Sequence, residues 1–293
     1  MALAVEVKPE RHHPESNPFE ALGFRDWWDV LPPGHHTIQG TVKLKRDVES
    51  PQLGNRRTLW LRLPTSFFET DRAYPLIVMH DGQNLFDQAT SFIGQEWCVD
   101  ETLQALEPTL EAIVLGIENA GGARFHEYNP WVDGSTADKY LDFLVDTVLP
   151  MVRDACSGRI LDDPQQTLIM GSSLGALISL YAFFERHDIF GLCGAMSPPT
   201  WFGHVVPYLE RQSHLPGLIY VDHGKRQHAH HGDNPDSGCD GEAVCGTLNR
   251  IGYELERDLF YRSDEGTHSE GAWAARLPEA FRLLYGLNTP AHA

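Results

Sequence analysis

The residues whose types and spacing could do chemistry stand in one short run, Gly171-Ser172-Ser173-Leu174-Gly175. An apolar stretch, residues 167–170, leads into it. An apolar pattern of helical spacing follows: Leu177, Ile178, Tyr181, Ala182 and Phe184. G-x-S-x-G between a strand and a helix is the sequence form of a nucleophile elbow. The chain must leave a buried strand, reverse, and enter a helix, which sets Ser173 at the apex with its hydroxyl outward. Gly171 and Gly175 bring no Cβ to obstruct the turn. The helix start behind the serine offers unpaired N–H groups and a positive dipole end to a developing oxyanion.

A serine hydroxyl alone is a weak nucleophile; it needs a base, normally a histidine oriented by a carboxylate. For an elbow serine the acid and then the histidine follow in the chain. His268 is the histidine in the loop after the last predicted strand, with Gly266 and Gly271 on either side, and it is the candidate base. The acid is open between three forms. Asp222 directly follows the strand predicted to end near Val221; Asp233, Asp236, Asp240 and Glu242 lie further on; and a Ser–His dyad would need none. An oxyanion hole requires two backbone N–H donors. Leu174 would supply one, and Gly82 or Gln83, in the loop His80-Asp81-Gly82-Gln83-Asn84, the other, with Asp81 and Asn84 shaping that loop.

Bringing these groups together takes a sheet. Residues 76–79, 112–117, 191–196, 218–221 and 259–261 are continuous apolar runs, the mark of strands buried on both faces. Residues 37–44 and 58–63 alternate apolar and polar with Gly54-Asn55 between them, which predicts an antiparallel hairpin. Helices are predicted at 97–106, 140–152, 248–255 and 273–285, with Pro150 kinking or ending the second. The alternation predicts an α/β fold: a mainly parallel central sheet with an antiparallel N-terminal hairpin edge and helices on both faces. Ligands bind at the carboxyl ends of such strands, where the polar segments HDGQN, GSSLG, DHG and EGTHSEGAW fall. One domain is expected over 37–288, after an irregular arm at 1–36 packed in part by Phe19, Phe24, Trp27 and Trp28. A polar insert interrupts the domain at about 225–245.

Composition narrows the function classes. Lys and Arg number 23 against 41 Asp and Glu, a net charge of −18. Nucleic acid and anionic membrane surfaces call for basic patches, so neither is an expected partner. No apolar run approaches the ~20 residues of a membrane span. The first residues lack a cationic start and an apolar core, so no signal peptide is expected. The five cysteines form no C-x-x-C, and a reduced, cytoplasmic setting is expected. In the insert, His228, His230, His231 and Asp233 have ligand chemistry but no regular element to fix their spacing, so a solvated loop is expected there and no metal. Glu96, Trp97, Trp131 and Trp201 are candidate pocket walls.

Five blocks, PLIVMHDGQNLFD, GIENAGGARFHEYNPW, IMGSSLGALISLYA, AMSPPTWF and GTHSEGAWAAR, resemble one family. It is the esterase branch of the α/β-hydrolases, which includes ferric-enterobactin-type siderophore esterases, feruloyl esterases and S-formylglutathione hydrolases. The resemblance covers roughly residues 37 to 286. It implies an α/β-hydrolase fold and a serine esterase that cleaves small-molecule esters without a cofactor. Ser173 would be the nucleophile and His268 the base, with an oxyanion donor from the Gly82–Gln83 region. Arg124, Glu127, Tyr128 and Trp201 would form the substrate pocket. Thioester hydrolysis of the S-formylglutathione type, or a non-catalytic binding protein on the same shell, stays open. Two positions depart from the family pattern: Ala176 stands where relatives often carry a second glycine, and Gln227 where they often carry an acid.

Overall fold

The apolar runs pair as predicted because neighbouring strands and covering helices are the only partners that can satisfy their backbone and bury both their faces. The computed structural model describes residues 17–202, 204–226 and 240–287. Nine strands form one sheet: β1 (Arg25–Asp26), β2 (Thr41–Ser50), β3 (Asn55–Leu63), β4 (Leu76–His80), β5 (Ile113–Ile117), β6 (Thr167–Ser172), β7 (Leu192–Met196), β8 (Leu218–Gly224) and β9 (Leu259–Asp264). Their order is β1-β2-β3-β5-β4-β6-β7-β8-β9. From β5 to β9 every pairing is parallel; β1, β2 and β3 form the antiparallel edge. The α/β-hydrolase architecture expected from the resemblance is therefore the one observed.

Two apolar layers sandwich the sheet. One packs Val78, Leu115 and Ile169 under Tyr140, Leu144 and Val148. The other packs Ile77, Val114 and Met170 under Leu103, Leu277 and Phe281. A third cluster, with Leu177, Leu180 and Leu248, fills the space beside β7 and β8.

Several boundaries differ from the sequence reading, each for a local reason. The segment before residue 37, expected to be irregular, holds two single-turn helices and β1 from Pro18 onward, with Phe19 and Phe24 buried. The stripe at 140–152 divides: a helix Ala137–Asp142 widens to a π-helix at Phe143–Val148 and resumes at Leu149–Ala155. The widening lies just before Pro150, which has no N–H to return to the preceding turn. Strand β8 continues through Asp222 and His223 to Gly224, where a loop was expected from Asp222 on. The helix expected at 248–255 is Asp240–Arg250, and the last helix begins at Glu270, three residues early. The cluster His228, His230, His231 and Asp233, with Asp236, lies outside the described residues.

Candidate active site

The elbow is a conformational fact at Ser173. Its backbone lies at φ 55° and ψ −122°, a region that costs a residue with a Cβ about 1–3 kcal/mol. The Ser173 N–H donates to Met196 O on β7 (2.9 Å), so the sheet itself holds the turn. Ser173 also stands at the N-cap of the helix Leu174–Glu185, yet its side chain makes no cap bond. The hydroxyl is thus not spent on the helix, as an N-cap serine's usually is. The two glycines are unequal. A Cβ on Gly171 would sit 2.9 Å from His80 Cδ2 and 3.0 Å from Gly175 Cα, whereas a Cβ on Gly175 would find its nearest atom at 3.6 Å. Only the first is required by space, which corrects the expectation for both.

The loop after β4 lies beside the elbow. Asp81 adopts a left-handed conformation (φ 57°) and opens a short 3-10 turn, Gly82–Asn84. A Cβ on Gly82 would stand 2.7 Å from Gly116 C, so the turn can press against β5 only with glycine there. The Asp81 carboxylate accepts from Arg124 Nε and Nη2, both at 2.7 Å, and from Asn119 Nδ2 at 2.7 Å. Burial would push the Asp81 carboxyl up, but Arg124 and Asn119 outweigh it and hold it below the usual range. Gln83 is pinned at both ends: its carbonyl accepts from Thr90 Oγ1 (2.8 Å) and its side-chain oxygen from the Asn119 N–H (3.2 Å). No acceptor for the Gln83 N–H is found among the described residues. Leu174, in the first helical turn, likewise has no acceptor within its helix.

Both Ser173 and His268 line a single cavity of about 650 Å³ at the carboxyl ends of the strands. Gln83, Arg124, Trp97, Trp273 and Glu270 share its wall, and Phe92 and Ile93 project at its rim. His268 packs edge-on to Trp273, ring centroids 5.0 Å apart, and against Trp201 at 5.8 Å. Trp201 is half exposed. Its contact with this imidazole, rather than a place in the cavity wall, is what links it to the site.

Three expected site residues lie elsewhere. Glu127 is buried and takes two hydrogen bonds from Arg57 at 2.9 Å each, so it belongs to a structural ion pair and is not among the residues lining this cavity. Tyr128 is fully buried, with the Arg124 guanidinium 5.0 Å above its ring. Asp222, the acid nearest its strand end, is internal to β8. Its Oδ1 accepts from the Ser197 N–H (3.0 Å) and its Oδ2 from Arg276 Nε (2.9 Å) and Tyr220 OH (3.1 Å). Among the described residues no hydrogen bond joins Asp222 to His268. Burial pushes its carboxyl up to about 6, with Arg276 and Tyr220 pulling the other way. Of the other candidate walls, Trp131 packs on Tyr181 and Tyr208, and Glu96 is buried; neither is among the residues lining the cavity.

Arg276 and Glu270 had no role in the sequence reading. Arg276 reaches Asp222, Asp264 Oδ1 (2.9 Å) and Ser197 Oγ (3.2 Å), so one side chain fastens the ends of β7, β8 and β9. Ser197 Oγ accepts from Trp273 Nε1 (3.1 Å), which fixes the ring beside His268. The His268 loop closes on glycines: a Cβ on Gly224 would lie 2.3 Å from Gly266 O. Glu270 heads the last helix and accepts from Trp97 Nε1 (2.7 Å). Burial and the neighbouring Asp81 push its carboxyl up to about 7, against Trp97 and Arg124.

Residues 50–284 match the family described as "Putative esterase". The chain belongs to that esterase family. An uncharacterised Bacillus subtilis protein, YbbA, is 26% identical over 188 residues, which span 61% of this chain and 70% of YbbA. The iron(III) enterobactin esterase of Dickeya dadantii is 26% identical over 180 residues, 60% of this chain but 38% of that protein. Among solved structures, the Shigella flexneri enterobactin esterase in the presence of 2,3-dihydroxy-N-benzoyl-serine has a TM-score of 0.66 at 21% identity. It covers 88% of this chain and 62% of its own. The chain thus spans less than two thirds of the length of both enterobactin esterases. No helix among its described residues is long and apolar enough to cross a membrane.

Proposed function

We propose that this esterase hydrolyses carboxylic esters of small molecules through an acyl-enzyme. The observation that carries the reading is the strained, uncapped Ser173 opening into the same cavity as His268. Ser173 Oγ attacks the ester carbonyl and its proton passes to His268. The carbonyl oxygen becomes an oxyanion held by the Leu174 N–H and the N–H of Gln83 or its neighbour Gly82. Collapse breaks the ester C–O bond, and His268 returns the proton to the leaving alcohol. Water, deprotonated by His268, then attacks the acyl carbonyl and releases the acid and Ser173. With Asp222 committed to Arg276, the orienting carboxylate belongs to the 225–245 segment, or the site works as a Ser–His dyad.

The flat walls of Trp97 and Trp273, with Phe92 at the rim, suit an aromatic acyl group, in line with the dihydroxybenzoyl compound found with the Shigella relative. The test is turnover of p-nitrophenyl esters by the wild type and Ser173→Ala. Removing the nucleophile should lower kcat by roughly 10⁴-fold or more. Equal turnover in the two proteins, or failure of a fluorophosphonate to label Ser173, would overturn the reading.

A further inference from the structure

On either side of Trp97 in the chain, and not among the residues lining the catalytic cavity, the chain gathers acidic groups with which no Lys or Arg pairs among the described residues. Glu96 is 1% exposed, and its Oε2 has no hydrogen-bond partner. Asp100 and Glu101 beside it hydrogen-bond to each other through their side chains, which leaves their charge without a cation. No Lys, Arg or His forms an ion pair with Glu96, Asp100 or Glu101 among the described residues. An isolated buried carboxylate costs several kcal/mol unless it is paired, protonated or bound to a metal. A neighbouring pair of carboxyl groups that share one hydrogen bond raises the cost of ionising Glu96.

The geometry supplies what a cation would need. One carboxylate oxygen from each of Glu96 and Glu101 and the Cys98 thiol lie within 4.8 Å of one another. The backbone that carries them is fixed. Cys98 stands in the left-handed region (φ 53°), and its neighbours are tied to the loop after β4 by Trp97 N–Asn84 O (2.9 Å) and Val99 N–Leu85 O (3.1 Å). Gln39 N donates to Asp100 Oδ2 at 2.6 Å, so the segment before β2 closes over the cluster.

We propose that Glu96, Cys98 and Glu101 form a binding site for one divalent cation of borderline softness, zinc being the type. Two carboxylates and a thiolate are a zinc-like donor set, with a fourth position for water. Calcium and magnesium need more oxygens, in larger or octahedral shells. On binding, the Cys98 thiol loses its proton to solvent and the sulfur lone pair enters the metal's coordination sphere. Without a cation, burial and the surrounding carboxylates push that thiol up to about 11, and burial and Glu101 push the Glu96 carboxyl up. A divalent charge at the centre reverses both effects. The ion's effect would be to brace Trp97, which both walls the cavity and holds Glu270.

Cobalt(II) serves as the spectroscopic probe, because thiolate ligation to it gives a charge-transfer absorption that carboxylate or imidazole ligation does not. The full chain, stripped with a chelator, is titrated with cobalt(II) and, separately, with zinc while thermal unfolding is followed. One equivalent should produce the charge-transfer band and raise the melting temperature. Cys98→Ser should abolish the band, and Glu96→Gln should weaken binding by at least about tenfold. A triple variant, His228→Ala, His230→Ala and His231→Ala, should leave the band intact, separating this site from the His-rich segment. The proposal is overturned by no band in the wild type, by a band that survives Cys98→Ser, or by zinc affinity unchanged in Glu96→Gln. If Cys98→Ser does not fold, the Glu96→Gln affinity decides.

Discussion

The serine side and the imidazole side of the candidate active site are built in opposite ways. The serine side is local: five consecutive residues, one strand and one helix suffice, and Ser173 is strained because Gly171 lets the turn close on His80. The imidazole side is assembled from afar. His268 rests on Trp273; Trp273 rests on Ser197; and Ser197, Asp222 and Asp264 meet at Arg276, 79 positions from Ser197. A local turn is read from neighbours in the chain. A knot between three strand ends is created only when the sheet forms.

That contrast can be broken at the knot, where the largest effect is expected. Arg276 is 6% exposed and Asp222 fully buried, so Arg276→Ala strands a carboxylate in the interior. A loss of roughly 3–5 kcal/mol in urea unfolding is expected. The companion variant separates structure from chemistry. If Asp222 acts only through Arg276, Asp222→Asn lowers stability, but kcat of the folded protein falls less than about tenfold. A kcat loss near 10⁴-fold with stability intact is what a directly orienting acid would give. That outcome would return Asp222 to the catalytic machinery.

The same contrast explains what could be read from the sequence. The sheet was legible because buried parallel strands are continuous apolar runs, and the meeting of Ser173 and His268 at one cavity because both segments sit at strand ends. Asp222 was misleading: it stands where an exit loop was expected, but β8 pairs on through Gly224, and a strand-internal aspartate meets the interior rather than the cavity. Glu127 failed for a related reason. Its partner Arg57 is 70 positions away, and nothing beside Glu127 in the chain announces a buried guanidinium. Glu270 lies in the first turn of a helix whose start is three residues earlier than expected, and that turn borders the cavity; Arg276 was inside the expected helix, but its partners Ser197 and Asp222 are 79 and 54 positions away.

A middle-sized effect is expected where the two sides meet, at Glu270. The groups facing it are Asp81 and Arg124 from the serine side and Trp97 beside it, with His268 in the same cavity. Its folded value of about 7 lies above the ordinary 4.5. The folded state therefore keeps a proton that the unfolded chain gives up. The resulting stability is complete below about pH 4.5 and is lost as pH rises through 7. Glu270→Gln should remove that slope. Relative to the variant, the wild type should lose about 1–2 kcal/mol between pH 5 and 8, a figure reduced for its partial exposure. Parallel stability-against-pH curves for the two proteins would show instead that Glu270 is already ionised in the acid range.

The smallest expected effect, that of Gly175→Ala set against Gly171→Ala, sharpens the reading of the serine side itself. If the elbow's geometry resides in Gly171 and not in the motif as a pattern, its two glycines should respond unequally. In Gly171→Ala the new methyl meets the His80 ring and the Gly175 backbone at 2.9–3.0 Å. Overpacking of that kind costs typically about 1–3 kcal/mol and should displace the serine. In Gly175→Ala the methyl meets His80 Cβ at 3.6 Å and Asp81 Oδ2 at 3.7 Å, ordinary contacts. The change also removes a glycine from a helix, worth up to about 1 kcal/mol in favour of the variant. Ester turnover should stay within about twofold of wild type, with a melting temperature equal or higher. A large loss of turnover in Gly175→Ala with the fold intact would mean that the first helical turn must move during the reaction, since the resting geometry leaves room for the methyl.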